Sequence, residues 1–193
     1  MTHQYAIEIV TPPAAEPVSL NELKTHLRVN TAAEDALLTG YITAARETFE
    51  AMTGRACKPT TFRQHVHQFN GPVALMKAPV TSIVSVKVYD QDDQLQDVEG
   101  YETDLLSCPA WVWLPDGYPS LSSVKRPVAQ VEFVAGWTTT PETVKLAIKL
   151  LAGHYFKNRE AYTATSFVLR DLPMGFRAVC DQFMLGITGY GNW

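Results

Sequence analysis

Apolar positions early in the chain recur at spacings of three and four. Leu20, Leu23 and Leu27 fall on one face of a short helix, opened by the S-x-x-E box of Ser19 and Glu22, in which each side chain can satisfy the other residue's orphan backbone N–H. Thr31 and Glu34 repeat the box, with Asp35 adding negative charge where a helix N-terminus favours it. Leu38, Tyr41, Ile42, Ala45, Phe49 and Met52 then form the apolar face of a longer helix, and Gly54 supplies its stop. Before these helices, Pro12, Pro13 and Pro17 cannot propagate one, so residues 1–18 read as an extended N-terminal arm.

From about Thr60 the period falls to two. Phe62, Gln64, Val66 and Gln68 alternate with Arg63, His65 and His67, and the run TSIVSVKVYD places Val84, Val86 and Val88 at strand spacing before a DQDD turn. Further strands are predicted at 101–106, 110–114 and 128–135. The prolines at 72, 79, 109, 115, 119 and 127 suggest a compact antiparallel lobe of short strands.

Helical spacing returns after Trp137, with Thr140 as N-cap, Pro141 at the first helical position, and Val144, Ala147, Ile148, Leu151 and Tyr155 on the apolar face. A polar interval leads to an amphipathic segment over about 173–185, then a Gly-rich tail. The fold class this predicts is α+β: N-terminal and C-terminal helices forming one helical bundle, with an inserted antiparallel β lobe. The boundaries are an arm at 1–18, helical core at 19–58, β lobe at 59–137, helical core with a C-terminal helix at 138–185, and a flexible tail at 186–193.

Composition narrows the functions. The 193 residues carry 16 Lys+Arg against 20 Asp+Glu, a formal charge of -4, which disfavours sequence-specific nucleic-acid binding through phosphate neutralisation. No stretch approaches the roughly 20 apolar residues that cross a bilayer. The N-terminus has no basic segment followed by an apolar one, so synthesis in the cytoplasm is expected. Cys57, Cys108 and Cys180 are odd in number and widely spaced, which predicts isolated thiols.

Catalytic motifs are scarce. His65 and His67 would share a strand face and could hold a metal, but no third ligand stands at a convincing spacing, so a solvated strand face is the simpler reading. His154 with Cys108 or Cys180 could form a Cys–His pair only if folding brings them together. The aspartates Asp90, Asp92 and Asp93 lack the Gly and terminal Glu of an EF-hand loop and read as a hairpin turn. No GxSxG, HExxH, P-loop or GxGxxG occurs. The chain reads as a non-enzyme without metal or other cofactor.

Its C-terminus reads as adhesive. Phe176, Phe183, Tyr190 and Trp193 sit on a short helix and a Gly-rich tail too small to bury them all, so they dock either on the chain's own helices or, as the favoured expectation, on a partner.

With these residues in view, the chain resembles the head-tail connector (adaptor) proteins of tailed bacteriophages, in the longer branch with a β insertion. VSLNELKTHLRVNTAAEDALLTGYITAARETFEAMTGR is similar to that family's opening: a capped helix ending in HLR, an acidic start to the next helix, and a closing T-G-R at Thr53 to Arg55. TPETVKLAIKLLAGHYFKNREAY is similar to its later helix, ending in N-R-E-A at Asn158 to Ala161, and LPMGFRAVCDQF resembles its final helix, departing from it at Cys180 and Asp181.

The resemblance implies a structural virion protein in the neck between capsid and tail. It would form a homo-oligomeric ring, expected to be a dodecamer, under the portal protein, extend the DNA channel and offer a platform to a stopper or tail-completion protein. Double-stranded DNA would pass without sequence-specific binding. Phe176, Arg177, Phe183, Tyr190 and Trp193 are the expected portal-binding residues. A cyclic ring needs one flank to complement the opposite flank of its neighbour, and the expected inter-subunit residues are Arg46, Glu47, Glu50, Lys145, Lys149, Arg159 and Glu160, with intrachain or solvated charge the alternative. The rival functions are a head-completion or tail-terminator ring and, less favoured, a small metal-dependent enzyme using His65 and His67.

Overall fold

In the computed structural model, which describes residues 5–158 and 172–185, the described residues fall into two compact units. One takes in the residues up to Ala14 with Pro59–Thr138 and Leu185, and the other Ala15–Lys58 with the residues from Thr139 to Met184. The chain is α+β.

The first unit is built from two antiparallel sheets. Strands β1 (Tyr5–Thr11), β2 (Thr60–Val66), β4 (Val80–Tyr89), β5 (Leu95–Asp97) and β8 (Ala129–Ala135) form a five-stranded sheet in the order β1-β2-β8-β4-β5. Strands β3 (Val73–Leu75), β6 (Glu102–Asp104) and β7 (Ala110–Trp113) form a three-stranded one in the order β3-β7-β6. The period-2 pattern decides which face is core. On β2, Thr60, Phe62, Gln64 and Val66 are buried while the residues between them are half-buried, and β8 repeats the alternation with Ala129, Val131, Phe133 and Ala135. Register sets Phe62 opposite Phe133, their rings 6.0 Å apart. The buried Gln64 is satisfied at both ends of its amide: Nε2 donates to the Ala74 carbonyl at 2.8 Å and Oε1 accepts from Met76 N–H at 2.9 Å. It thereby ties β2 to the β3 edge at no net hydrogen-bond cost.

Two expectations change here. The N-terminal segment is an arm only from Pro12 onward, because Ile7, Ile9 and Val10 are strand formers, and Ile7 and Ile9 pair along β2 with Val10 bulging before the prolines stop the strand. The lobe is also more than short strands, since β2 and β8 each run seven residues and β4 ten.

The second unit holds helices α1 (Leu20–Leu27), α2 (Asp35–Thr53), α3 (Glu142–Lys157) and α4 (Met174–Phe183). The Ser19–Glu22 box is closed in both directions, with Glu22 N–H donating to Ser19 Oγ at 3.2 Å and Ser19 N–H donating to Glu22 Oε2 at 2.7 Å. The box expected at Thr31–Glu34 does not form. Thr31 Oγ1 accepts from Ala33 N–H at 3.2 Å in a local turn, Glu34 takes the cap position without a capping bond to the helix's first turn, and Asp35 is drawn to Lys24 at 2.6 Å. Gly54, at φ 71°, ends α2 as expected. At α3 the cap lies one residue later than the sequence suggests: the Pro141 carbonyl accepts from Val144 and Lys145 N–H, and the Thr140 hydroxyl donates to the Cys57 carbonyl at 2.6 Å. Glycine at 153 lets α1 approach α3, because a Cβ there would lie 3.0 Å from Leu27 Cδ2. The core of this unit comprises Leu23, Leu38, Ile42, Ala45, Phe49, Val144, Ala147, Ile148, Leu151 and Phe176.

The α1 cap gives a pH-dependent expectation. The Ser19 backbone N–H, then its hydroxyl, hold the Glu22 carboxyl below its ordinary value of 4.5. A depressed folded-state pKa contributes stability above the unfolded value and loses it as pH falls through the folded one. Ser19→Ala should therefore cost about 1 kcal/mol at neutral pH, with the deficit shrinking as pH falls below the ordinary value of 4.5 and the carboxylate takes up its proton. Urea titrations at pH 7 and pH 3 measure it, and an equal deficit at both would separate the serine's effect from the carboxylate.

Candidate functional site

The charged residues expected on an outer flank of α2 divide sharply. Arg46 is only 7% exposed and sits inside an intrachain ion cluster: its Nε lies 2.8 Å from Glu16 Oε2 and its Nη1 2.8 Å from Glu50 Oε2. Thr43 Oγ1 donates to the other Glu16 oxygen at 3.0 Å, and Glu50 Oε1 accepts from Cys57 N–H at 2.7 Å. Burial disfavours the Arg46 charge, but Glu16 and Glu50 outweigh it and raise its pKa. Arg46 and Glu50 are therefore corrected from inter-subunit candidates to internal ties joining Glu16, α2 and the chain that follows it. Their apparent outer position on a helical wheel is covered by the segment before α1.

Glu47 keeps a surface position, with a side chain 65% exposed and only a 3.4 Å contact to Arg46. Lys145 is half-buried and bound within the chain to Glu142 at 2.8 Å, with Glu22 at 3.9 Å. Lys149 is half-buried in a shallow hollow with Asn21, Glu22, Thr25 and His26. Arg159 and Glu160 lie outside the described residues.

The aromatic expectation is likewise resorted. Phe176 is fully buried and meets Phe49 edge-on, ring centres 6.5 Å apart, so it belongs to the core and not to a portal-facing surface. Phe183 is half-buried against the other side of Phe49 at 6.3 Å, and its carbonyl accepts from Arg55 Nε at 3.0 Å. Two of the four rings thus dock back on α2, because α4 has one apolar face of its own and α2 offers a ring to receive it. Arg177 is exposed on the opposite face of α4. Tyr190 and Trp193 lie outside the described residues.

Sequence reasoning passed over an apolar strip on this unit. Met174 is 88% exposed at the start of α4 and Leu146 is 45% exposed on α3; between them Leu150 approaches Gly175, where a Cβ would lie 3.4 Å from its Cδ1. The signal was present in the LPMG run and in Leu146, which falls off the buried face of α3.

The chemistry-bearing residues take structural positions. His65 is half-buried, its Nε2 3.5 Å from Glu8 Oε1, which in turn accepts from Arg63 at 2.7 Å. Arg63 also reaches Glu132 at 2.9 Å, so a row of charges crosses β1, β2 and β8. No cluster of three metal-ligating side chains occurs among the described residues. His154 meets Tyr155 edge-on and contacts Asn158. Burial pushes the Cys180 thiol up to about 11 and raises Cys57 further, leaving both protonated and poorly nucleophilic at neutral pH. Cys108 is exposed. Asp90 accepts from the backbone N–H of Asp92 and Gln94, both at 2.9 Å, and from Gln96, which closes the DQDD turn as a hairpin. No described helix is long and apolar enough to cross a membrane.

Comparison with known proteins finds a family-model match over part of the chain and a shared fold over nearly all of it. Residues 17–104, from the α1 cap to β6, match the model of the family described as Phage gp6-like head-tail connector protein. Among solved structures, a chain from "Neck of empty GTA particle computed with C6 symmetry" superposes with a TM-score of 0.77 at 22% identity, covering 96% of this chain and 98% of that one. A chain from "Virion of native gene transfer agent (GTA) particle" gives 0.75, and one from "Neck of native GTA particle computed with C12 symmetry" gives 0.74, with the same identity and coverage. At this identity the likeness establishes a shared fold. No curated protein matches the chain.

Proposed function

We propose that this chain, which carries the head-tail connector signature over residues 17–104, is a structural protein of the virion neck, joining the capsid portal to the tail of a phage-like particle. The match to the connector family is the observation that carries this reading, and the fold shared with chains of symmetric particle necks supports it. Copies form a cyclic ring, twelve-fold in keeping with the C12 neck, through which double-stranded DNA passes. The net charge of -4 suits that task, since a wall that lets DNA slide must not collect phosphates. The chain acts by assembly and not by catalysis, and needs no cofactor.

In the ring, Glu47 on α2 and Lys149 on α3 remain as inter-subunit contacts, with Arg159 and Glu160, and Lys145 contributes from its intrachain pair. Arg177 and Phe183, with Tyr190 and Trp193 beyond α4, face the portal. A stopper or tail-completion protein binds the opposite rim.

The test is the mass of the purified chain by light scattering, alone and mixed with the portal of the same particle. A ring mass in either condition is expected, and a chain truncated after Leu185 should stay folded while losing portal association. A monomer that ignores portal but binds tail components would overturn the reading in favour of a tail-terminator.

A further inference from the structure

The five-stranded sheet has three exposed margins, and they are not alike. Its β5 margin is guarded: the strand spans only Leu95–Asp97, wholly exposed, with Asp92, Asp93 and Glu99 around it. Short, charged edges are how soluble proteins discourage strand addition. The other two margins lack that protection. β1 runs seven residues with β2 on one side and no described strand on the other, and its one charged residue, Glu8, is engaged by Arg63. β4 pairs with β5 only over Lys87–Tyr89, and the next backbone bond on that side is Val98 N–H to the Val86 carbonyl. Val80–Ser85 therefore has no described strand paired with it there, and it contains no charge and no proline.

Both margins also expose apolar side chains. Ile9 is 58% and Val10 40% exposed on β1, and Val84 is 52% exposed on β4. Bulges explain why: the register passes from Ile9 to Thr11 and from Ile83 to Ser85, so Val10 and Val84 are left over with no partner within the sheet.

Strand direction identifies what fits. β1, β2, β8 and β4 alternate in direction, so β1 and β4 run opposite ways at the two sides of the sheet. A copy added head to tail in the same orientation would bring its β1 antiparallel to the open half of β4. A second copy is thus the occupant that satisfies both unprotected margins with one contact, and such a heterologous contact is the kind that closes into a ring. An isologous pairing of β1 with β1 would leave every β4 open and stop at a dimer.

We infer that neighbouring copies of this chain are joined sheet to sheet, β1 of one along Val80–Ser85 of the next. The inference rests on the ring reading above and names its contact surface. It is tested on the full-length protein by light scattering of Ile9→Lys and Val84→Lys, with Leu95→Lys on the guarded margin as control and far-UV circular dichroism to verify folding. All three positions are exposed, so the fold should persist. The two margin variants should lower the fraction of chain in rings by about tenfold at the concentration where wild type is half assembled, and Leu95→Lys should leave it unchanged. In a Cys108→Ser background, Val84→Cys combined with Ile9→Cys or Val10→Cys should yield covalent multimers on oxidation for at least one pair. Rings that survive both lysine variants, or the absence of cross-links from both pairs, would overturn the edge contact alone, as when the chain's own C-terminal residues cover a margin. Wild type that never forms a ring, with portal or without, would instead bring down the ring reading and this contact with it.

Discussion

Arg46→Ala should destabilise the helical unit by about 3–5 kcal/mol, the cost of removing one partner from a buried ion cluster. The guanidinium is 7% exposed and answers two carboxylates at 2.8 Å. Without it, Glu16 and Glu50 face each other across a space that water reaches poorly, while Glu50 still has to accept from Cys57 N–H and Glu16 from Thr43. Lysine is an inadequate substitute, because a single ammonium cannot reproduce the forked donation to both acids. Arg46→Met combined with Glu16→Gln and Glu50→Gln removes the stranded charges and should recover part of the loss. Urea unfolding followed by circular dichroism measures all three. A loss below about 1 kcal/mol for Arg46→Ala would place the cluster among exposed ion pairs of little consequence, contrary to its burial.

Phe49→Ala should cost a similar amount, about 3–5 kcal/mol for a fully buried phenylalanine whose site cannot collapse. This ring carries more than its own burial, since Phe176 and Phe183 both meet it edge-on, at 6.5 and 6.3 Å. Removing it takes away the surface on which α4 is seated. The loss should therefore be unevenly distributed: amide hydrogen exchange in Met174–Phe183 should accelerate more than in Glu142–Lys157, which keeps its apolar face against the rest of α2. Phe49→Leu, retaining most of the volume, should show a smaller deficit with the same pattern. Uniform acceleration across the unit would show that α4 is held by other contacts.

How much of this was legible in the sequence depended on the distance over which each interaction acts. The Ser19–Glu22 box, the Gly54 stop and the alternating face of β2 formed as read, because each depends on residues within a turn or on a simple period. The same S/T-x-x-E pattern at Thr31–Glu34 failed, since Lys24 from the preceding helix claims Asp35 and Thr31 turns to Ala33 instead. Strands β3 and β5, three residues each, are too short to establish a period. β1 was obscured by the prolines just beyond it, although Ile7 and Ile9 carried the alternation.

Site residues were less legible than elements. Helical spacing placed Arg46 on the polar side of α2 correctly, but nothing local shows that Glu16 covers that side. Phe176 and Phe183 were recognised as needing a surface, and that surface is Phe49, remote in sequence. The resemblance to the connector family was readable because its motifs lie in the helices, and the matched region, 17–104, includes α1 and α2.

The most direct test of the proposed connector role is the assembly of the phage-like particle without this chain. Electron microscopy of such particles should show capsids with portals and separate tails that fail to join, and adding back the purified protein should restore joined particles with extra density beneath the portal. Normally tailed particles assembled in its absence would contradict the account.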